Sequence, residues 1–390
     1  MRTGYTTGTC AAAAAGAAAF FLCSGRKLSH AAVLLPDGSE ALLPLTWDVG
    51  EPLRCGVYKD AGDDPDVTDG TLVCAEVRDL LEAQKEGQES GFAAIAEQRS
   101  VYRDDRYPGL CLLGGQGVGT VTKKGLSCPV GFPAINPIPR QMILAEADRA
   151  RKRAGCPERE LMITVSIPEG EALAARTFNP KLGIVGGISI LGTSGIVHPM
   201  SEAALVETIR LEIRVRAGEG RRLLAVAPGN YGERFLKETM GLSLDSFVKC
   251  SNFIGDTFRM MKEEHIEKVL LAGHVGKLIK VAGGVMNTHS RFGDRRMEIL
   301  EDCALSVGMP KEQAEQLRLM NTTEEAAGYL VETGWLPAVM QEAARRGKEV
   351  LEKQFGVKTE ILLFSMEHGL LAETAGAAAL VKELKDTETR

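Results

Sequence analysis

The sequence predicts a mixed fold of two domains, combining α+β and α/β architecture. A strand-rich α+β domain is expected over residues 1–180. An α/β domain with a mainly parallel, Rossmann-like sheet is expected over 181–390, its C-terminal helix free to pack back on the first domain. Three observations predict this. Short β-like runs follow an alanine-rich helix and continue to about Pro180. From Lys181 the rhythm changes to strand, glycine-bearing turn and helix, which implies parallel strands joined by crossovers. The length, 390 residues, exceeds what a single core usually serves.

The opening MRTGYTTGTCAAAAAGAAAFFL joins a Thr/Gly loop to a strong helix former. Thr7 or Thr9 is placed to cap a helix beginning near Cys10. Tyr5, Thr6, Thr7 and Thr9 bring hydroxyls to the positive end of its dipole, where a carboxylate could sit. A tightly packed core helix is the alternative. Only Arg2 precedes the apolar run, and Phe20, Phe21 and Leu22 stand where a signal cleavage site wants small residues. The run Ala11–Leu22 is also too short to span a bilayer, so it reads as a buried helix.

Strand-like runs follow at Ala32–Leu35, Glu40–Leu45, Leu53–Lys59 and Thr71–Arg78. The Asp-rich Asp60–Gly70 lacks the glutamate that closes an EF-hand and reads as a turn, with Asp66 and Asp69 able to hold polar groups. Residues 80–108 are polar and read as a connection. CLLGGQGVGTVTKKGL (Cys111–Leu126) resembles a strand–turn–strand, with Lys123 just beyond. An irregular Pro-rich stretch, a helix over Gln141–Ala154 and a strand over Leu161–Ile167 complete the first domain.

KLGIVGGISILGTSGIVHPMS (Lys181–Ser201) holds two short apolar runs with glycine turns, and Ser201 can cap a helix over Glu202–Arg216. It reads as the first half of a βαβ unit. Gly186, Gly187, Gly192, Thr193, Ser194 and Gly195 would let an anionic group approach the backbone, although such loops also serve as plain turns. Further strands lead to Pro228–Gly232, to Ser251–Asp256 and to Gly273–Lys277, and Glu360–Phe364 is a late strand. Binding loops gather at the carboxyl ends of parallel strands, so these four loops are expected to share one crevice, with the opening domain closing over it. GHVGKL is not a phosphate-binding loop, since the spacer and the Ser/Thr are missing. Lys277 can still serve as a point charge. The segment Ala282–Arg291, with Asp294, Arg295 and Arg296, carries many donors and little apolar surface, so it reads as facing a substrate. His274 and His289 are the histidines best placed for chemistry.

A net charge of −6 argues against a nucleic-acid binder but permits a local basic pocket. Nine scattered cysteines without a CxxC suggest reduced thiols in the cytoplasm and no protein-bound metal.

RTGYTTGTCAAAAA, DVTDG, GGQGVGTVTKKGL, NPIPR, TFNPKLGIVGGISILGTSGIVHPMSEAA, GNYG, SNFIG and GHVGKLIKVAGGVMNTHSR occur in that order. Together they resemble the CbiD family, the cobalt-precorrin-5B (C1)-methyltransferases of anaerobic cobalamin biosynthesis, from Arg2 to about Arg296. The resemblance implies S-adenosylmethionine as methyl donor and a tetrapyrrole acceptor whose cobalt belongs to the substrate. Methyl transfer from a sulfonium needs alignment and water exclusion and no enzyme nucleophile. On this reading the methyl donor takes Gly186, Gly187, Gly192–Ser201 and Gly273, with Tyr231 or Phe253 flanking adenine. Acceptor carboxylates take Arg2, Lys123, Lys277, Arg291 and Arg295, with Thr6, Thr7, Thr9, Asn287 and Thr288 alongside. His289 or Asp294 would accept a proton. Neighbouring pathway enzymes and a second copy of the chain are candidate partners; nucleic acid and membrane are not. The competing readings are a nicotinamide-dependent precorrin reductase, for which a clean GxGxxG is missing, and a non-catalytic corrinoid carrier.

Overall fold

A computed structural model describes residues 1–48, 53–80, 100–243 and 246–388. Residues 81–99, most of the expected polar connection, lie outside these. The fold is mixed α and β and divides into two compact units, Met1–Ser201 and Glu202–Arg390.

In the first unit, β1 (Gly4–Tyr5) leads into α1 (Thr7–Ser24). Thr6, rather than Thr7 or Thr9, caps this helix: its backbone is extended and its Oγ1 accepts the Thr9 N–H at 3.2 Å. Gly25 ends the helix in the left-handed region at φ 72°, its N–H bonded to the Phe21 carbonyl. By length and composition α1 could cross a membrane, yet Ala11–Ala15 and Ala17–Ala19 are at most 5% exposed inside this unit.

The strands β2 (His30–Leu34), β3 (Glu40–Pro44), β4 (Thr46–Trp47), β5 (Arg54–Tyr58), β6 (Leu72–Asp79), β7 (Leu110–Gly114), β8 (Gly117–Val118) and β9 (Thr120–Val121) follow, then α2 (Pro137–Arg153), β10 (Leu161–Ser166) and α3 (Gly170–Ala174). The main sheet runs β4-β5-β6-β10-β7, antiparallel except where β10 meets β7. The alanine face of α1 lies against β5, β6 and α2. Small side chains let these backbones approach closely.

The last strands of the unit are β11 (Ile184–Val185), β12 (Gly187–Ile188) and β13 (Ile196–Val197). They do not begin a βαβ unit. β11 pairs with β9, β12 with β8 and β13 with β1, each a two-residue ladder inside the first unit. The division therefore falls after Ser201, whereas the change of rhythm pointed to residue 180. Cys23 and Cys156 form a disulfide at the far ends of α1 and α2, where reduced thiols were expected. The burial of α1 against α2 brings their Cα atoms to 6.4 Å, within bridging range.

In the second unit, α4 (Glu202–Gly218) precedes β14 (Leu223–Ala227), α5 (Asn230–Arg234), a π-helical turn (Phe235–Thr239), β15 (Phe247–Lys249), α6 (Ile254–Glu263), β16 (Lys268–His274) and α7 (Val275–Ala282). Then come α8 (Arg296–Ser306), α9 (Lys311–Gln316), α10 (Thr323–Glu332), α11 (Leu336–Phe355), β17 (Lys358–Ser365), β18 (Gly369–Glu373) and α12 (Ala377–Glu388). The sheet order is β15-β14-β16-β17-β18, parallel except for β18. Both faces are covered, so the strands read as apolar runs. Leu224, Val226, Val269, Leu271, Ile361 and Leu363 face one core, shared with α4, α6, α7 and α11. Leu223, Ala225, Leu270, Ala272, Leu362 and Phe364 face the other, shared with Phe235, Leu236 and α12. The C-terminal helix thus covers its own sheet through Ala377, Leu380 and Leu384.

Candidate active site

Counted in chain order, the strands of the second unit stand 2-1-3-4-5, so the connections out of β14 and β16 leave in opposite directions. A crevice opens at the carboxyl ends of strands related in this way. A cavity of about 630 Å³ occupies it, lined by Pro228–Gly232 and Arg234 after β14, by Gly273, His274 and Lys277 at the end of β16, and by Met366 after β17. Three of the four glycine-bearing loops named from the sequence belong to this sheet's strand ends. The fourth, Gly186–Ser201, does not.

A side chain at Gly229 would meet nothing within 4 Å, so the wall is open there for a ligand. At Gly232 it would press on Ala227, and at Gly273 on Leu278; these two glycines serve close packing beneath the cavity. Tyr231 is 58% exposed at the rim. Phe253, the other aromatic candidate, is buried in the core.

Lys277 donates to the Pro228 carbonyl at 3.1 Å and to Asn252 Oδ1 at 3.0 Å. Among the described residues no carboxylate lies within ion-pair distance of it. Burial holds its amine below the usual lysine range; Cys250 opposes this and Lys249 adds to it. His274 caps α7, its Nδ1 accepting the Gly276 N–H at 3.0 Å. The ring proton therefore sits on Nε2, which donates to Glu324 Oε1 at 2.7 Å. Both nitrogens are thus committed. Glu324 also accepts the Met366 N–H. Burial pushes its carboxyl up, but Met366 and His274 more than offset this and hold it below the ordinary range. Ligand atoms of Glu324, Glu367 and His368 lie within 4.8 Å of one another, yet the first is occupied in this way.

Asn287 and Thr288 begin the segment that follows α7. Asn287 bridges to Phe253, and Thr288 is buried, bonded through N–H and Oγ1 to Asn252. The buried Lys280 reaches the Thr288 and Gly293 carbonyls beneath it. His289 is exposed, and its Nδ1 accepts the Arg291 N–H. Arg291 pairs with Glu202, and Arg295 with Glu298 at 3.1 Å. Arg296 grips Asp294 and keeps its carboxyl below the ordinary range.

The remaining candidates lie in the first unit, where most are used internally. Thr7 Oγ1 donates to the Leu191 carbonyl and accepts the Leu191 N–H. Thr9 Oγ1 donates to the Gly195 carbonyl at 2.7 Å, and Thr6 Oγ1 meets Thr9 Oγ1. The Thr6 and Gly8 N–H groups bond to the Gly195 and Leu191 carbonyls. The helix start expected to hold a carboxylate is thus filled by the chain's own carbonyls. Side chains at Gly192 and Gly195 would strike Thr6 and Thr9, and one at Gly187 would strike the Gly117 backbone. Gly186 is open at φ 79°. Thr193 is exposed, and Ser194 closes a turn onto the Ile196 carbonyl. Arg2 pairs with Asp60, and the Lys123 stem lies over Gly183. Asp66 neutralises the buried Lys59 at 2.7 Å, and Asp69 accepts the Ala61 N–H, so both hold the turn. Asn252, Glu324 and Met366 were not singled out as site residues. Asn252 stands in a glycine-bearing loop without a feature that marks it; nothing in the sequence marks Glu324, fifty positions beyond His274.

The CbiD family profile matches residues 1–199, and a CbiD C-terminal domain profile matches residues 287–375. A cobalt-precorrin-5B C(1)-methyltransferase of Ruminiclostridium cellulolyticum is 40% identical, over 98% of this chain and 95% of its own. The Methanocaldococcus jannaschii protein of the same name is 37% identical over 94% and 95%. A crystal structure of the cobalamin biosynthesis protein cbiD from Archaeoglobus fulgidus aligns at 24% identity and a TM-score of 0.39, covering 75% of this chain and 84% of that one.

Proposed function

The chain belongs to the CbiD family, and from that premise we propose that it is a cobalt-precorrin-5B C(1)-methyltransferase of cobalamin biosynthesis. A methyltransferase requires a methyl donor. We assign S-adenosylmethionine to that part and a cobalt-bound tetrapyrrole to the acceptor's. The cavity beside β14 and β16 is the methyl donor's pocket in this reading, a Rossmann-like use of a parallel sheet.

One observation carries the assignment: a half-buried ammonium at a strand-order reversal, with only neutral acceptors around it. S-adenosylmethionine supplies an electrophilic methyl group on a sulfonium. Lys277 offers its charge to the carboxylate of that molecule, the open wall at Gly229 admits it, and the exposed ring of Tyr231 offers a face for a flat base. His289, with Nδ1 accepting the Arg291 N–H, carries its ring proton on Nε2 and can only donate there, whereas Asp294 is held ionised by Arg296. Arg2, Lys123, Arg291 and Arg295 are retained as clamps for acceptor carboxylates. Seven free, buried cysteines favour a cytoplasmic setting, and the Cys23–Cys156 disulfide counts against it.

Titration calorimetry tests the reading. S-adenosylmethionine is expected to bind and NADPH not to. Lys277→Met, which keeps the stem and removes the charge, should weaken S-adenosylmethionine binding roughly tenfold or more. Unchanged affinity in that variant would move the methyl donor elsewhere.

A further inference from the structure

We propose that Asn252 is a positioning residue: its side-chain oxygen aims the Lys277 ammonium into the cavity without neutralising it, so that the cavity selects ligands carrying a carboxylate. The proposal rests on the reading of this cavity as the methyl donor's pocket.

Asn252 follows Ser251, which has a φ of 52°, a left-handed conformation that costs a serine energy and is kept only where the surroundings demand it. The bend presents the Asn252 amide to two donors. Lys277 Nζ lies 3.0 Å from Oδ1, and Thr288 Oγ1 lies 3.2 Å from the same atom. An ammonium can only donate, so the oxygen and not the NH₂ must face it, which fixes the amide's orientation. The other acceptor of Lys277 is the Pro228 carbonyl, again neutral. An aspartate would fit the same space and make the same two bonds, but it would cancel the charge.

The charge is needed only if something anionic enters. The cavity is open at Gly229, and Lys277 is among its lining residues. Nearby Lys249 is already engaged by Asn230 and Glu233, and His274 by Glu324; of the other two lining cations, Arg234 stands 4.0 Å from Glu238, and Lys277 is the one held by neutral acceptors. Burial lowers the amine's pKa by disfavouring its charge, and an arriving carboxylate would offset that cost. Asn252 also ties this cation to the segment carrying His289, because Thr288 is bonded to its side chain and to its carbonyl.

Two sources could supply the carboxylate: the amino-acid end of the methyl donor or an acid side chain of the tetrapyrrole. Full-length wild type and Asn252→Asp are compared by calorimetry with S-adenosylhomocysteine and with methylthioadenosine, which lacks the amino-acid end. Wild type is expected to prefer S-adenosylhomocysteine. In Asn252→Asp that ligand should lose roughly ten- to hundredfold in affinity while methylthioadenosine is unchanged. A purely structural asparagine would tolerate this isosteric change, and circular dichroism checks that the variant folds. Equal binding of S-adenosylhomocysteine by both proteins overturns the role of Asn252 and leaves the pocket reading standing. Should wild type bind neither nucleoside, the pocket reading fails. The tetrapyrrole KM then decides: a tenfold rise in Asn252→Asp at unchanged kcat sustains carboxylate selection, and an unchanged KM overturns it.

Discussion

At the scale of single residues, charge is placed by its neighbours and not by its type. Glu342 on α11 receives Arg345 at 2.7 and 2.8 Å and Arg346 at 2.7 Å. These bonds, Arg345 first, hold its carboxyl at about 2 against an ordinary 4.5. A folded-state pKa below the unfolded one adds stability that is complete above the unfolded value and is lost as pH falls through the folded one. Glu342→Gln should therefore melt below wild type at neutral pH, with a gap that narrows from 4.5 downward and closes near 2. A gap independent of pH would mean that packing, and not charge, is what the substitution removes. Lys277 is the contrasting case, a cation left with neutral company. The sequence marks it as a point charge for a carboxylate, but not as one held by neutral acceptors. Its partners come from two other loops, 49 and 25 positions away, and neither spacing is a pattern that a single chain reveals.

At the scale of elements, periodicity served well and glycine served badly. The alanine helix, the hairpin strands before Tyr58 and the apolar strands of the second sheet lie close to where apolar spacing puts them, because burial of one face or of both dictates that spacing. The Gly186–Ser201 stretch was legible as a loop but not as to what it touches. A glycine that admits a ligand and a glycine that admits a threonine look alike in sequence. At Gly192 it is Thr6 that occupies the space, and the residue sits at φ 135°. Gly192→Val is expected to destabilise the protein by about 1–3 kcal/mol in a chemical denaturation experiment. Its S-adenosylmethionine affinity should stay that of wild type. Weakened binding by a variant of unaltered stability would return this loop to the methyl donor.

At the scale of the molecule, the cores explain why the boundary was misplaced. One hydrophobic cluster runs from Cys10 to Ile190 and draws on the first unit alone; those of the second sheet begin at Ile209 and Leu223. Sequence rhythm changes where strands become regular, whereas the unit ends where its last short ladders close, and those ladders follow residue 180. Separate cores should melt as separate transitions in calorimetry. Overpacking α1 with Ala15→Leu should lower one transition, and hollowing β16 with Leu271→Ala, at about 2–5 kcal/mol, should lower the other. A single transition moved by both would show that the cores unfold together.

The closure of α1 has a consequence for how the polypeptide is made. Thr7 and Gly8 bond to Leu191, which leaves the ribosome 184 residues after Thr7. Until then the N–H groups at the helix start wait for their carbonyls, and the alanine face is itself uncovered until α2, which ends at Arg153, has been made. Long-range closures of this kind are slow, and apolar surface left bare during them invites aggregation. Overproduction should thus be limited by chaperone capacity during synthesis more than by the endurance of the finished fold.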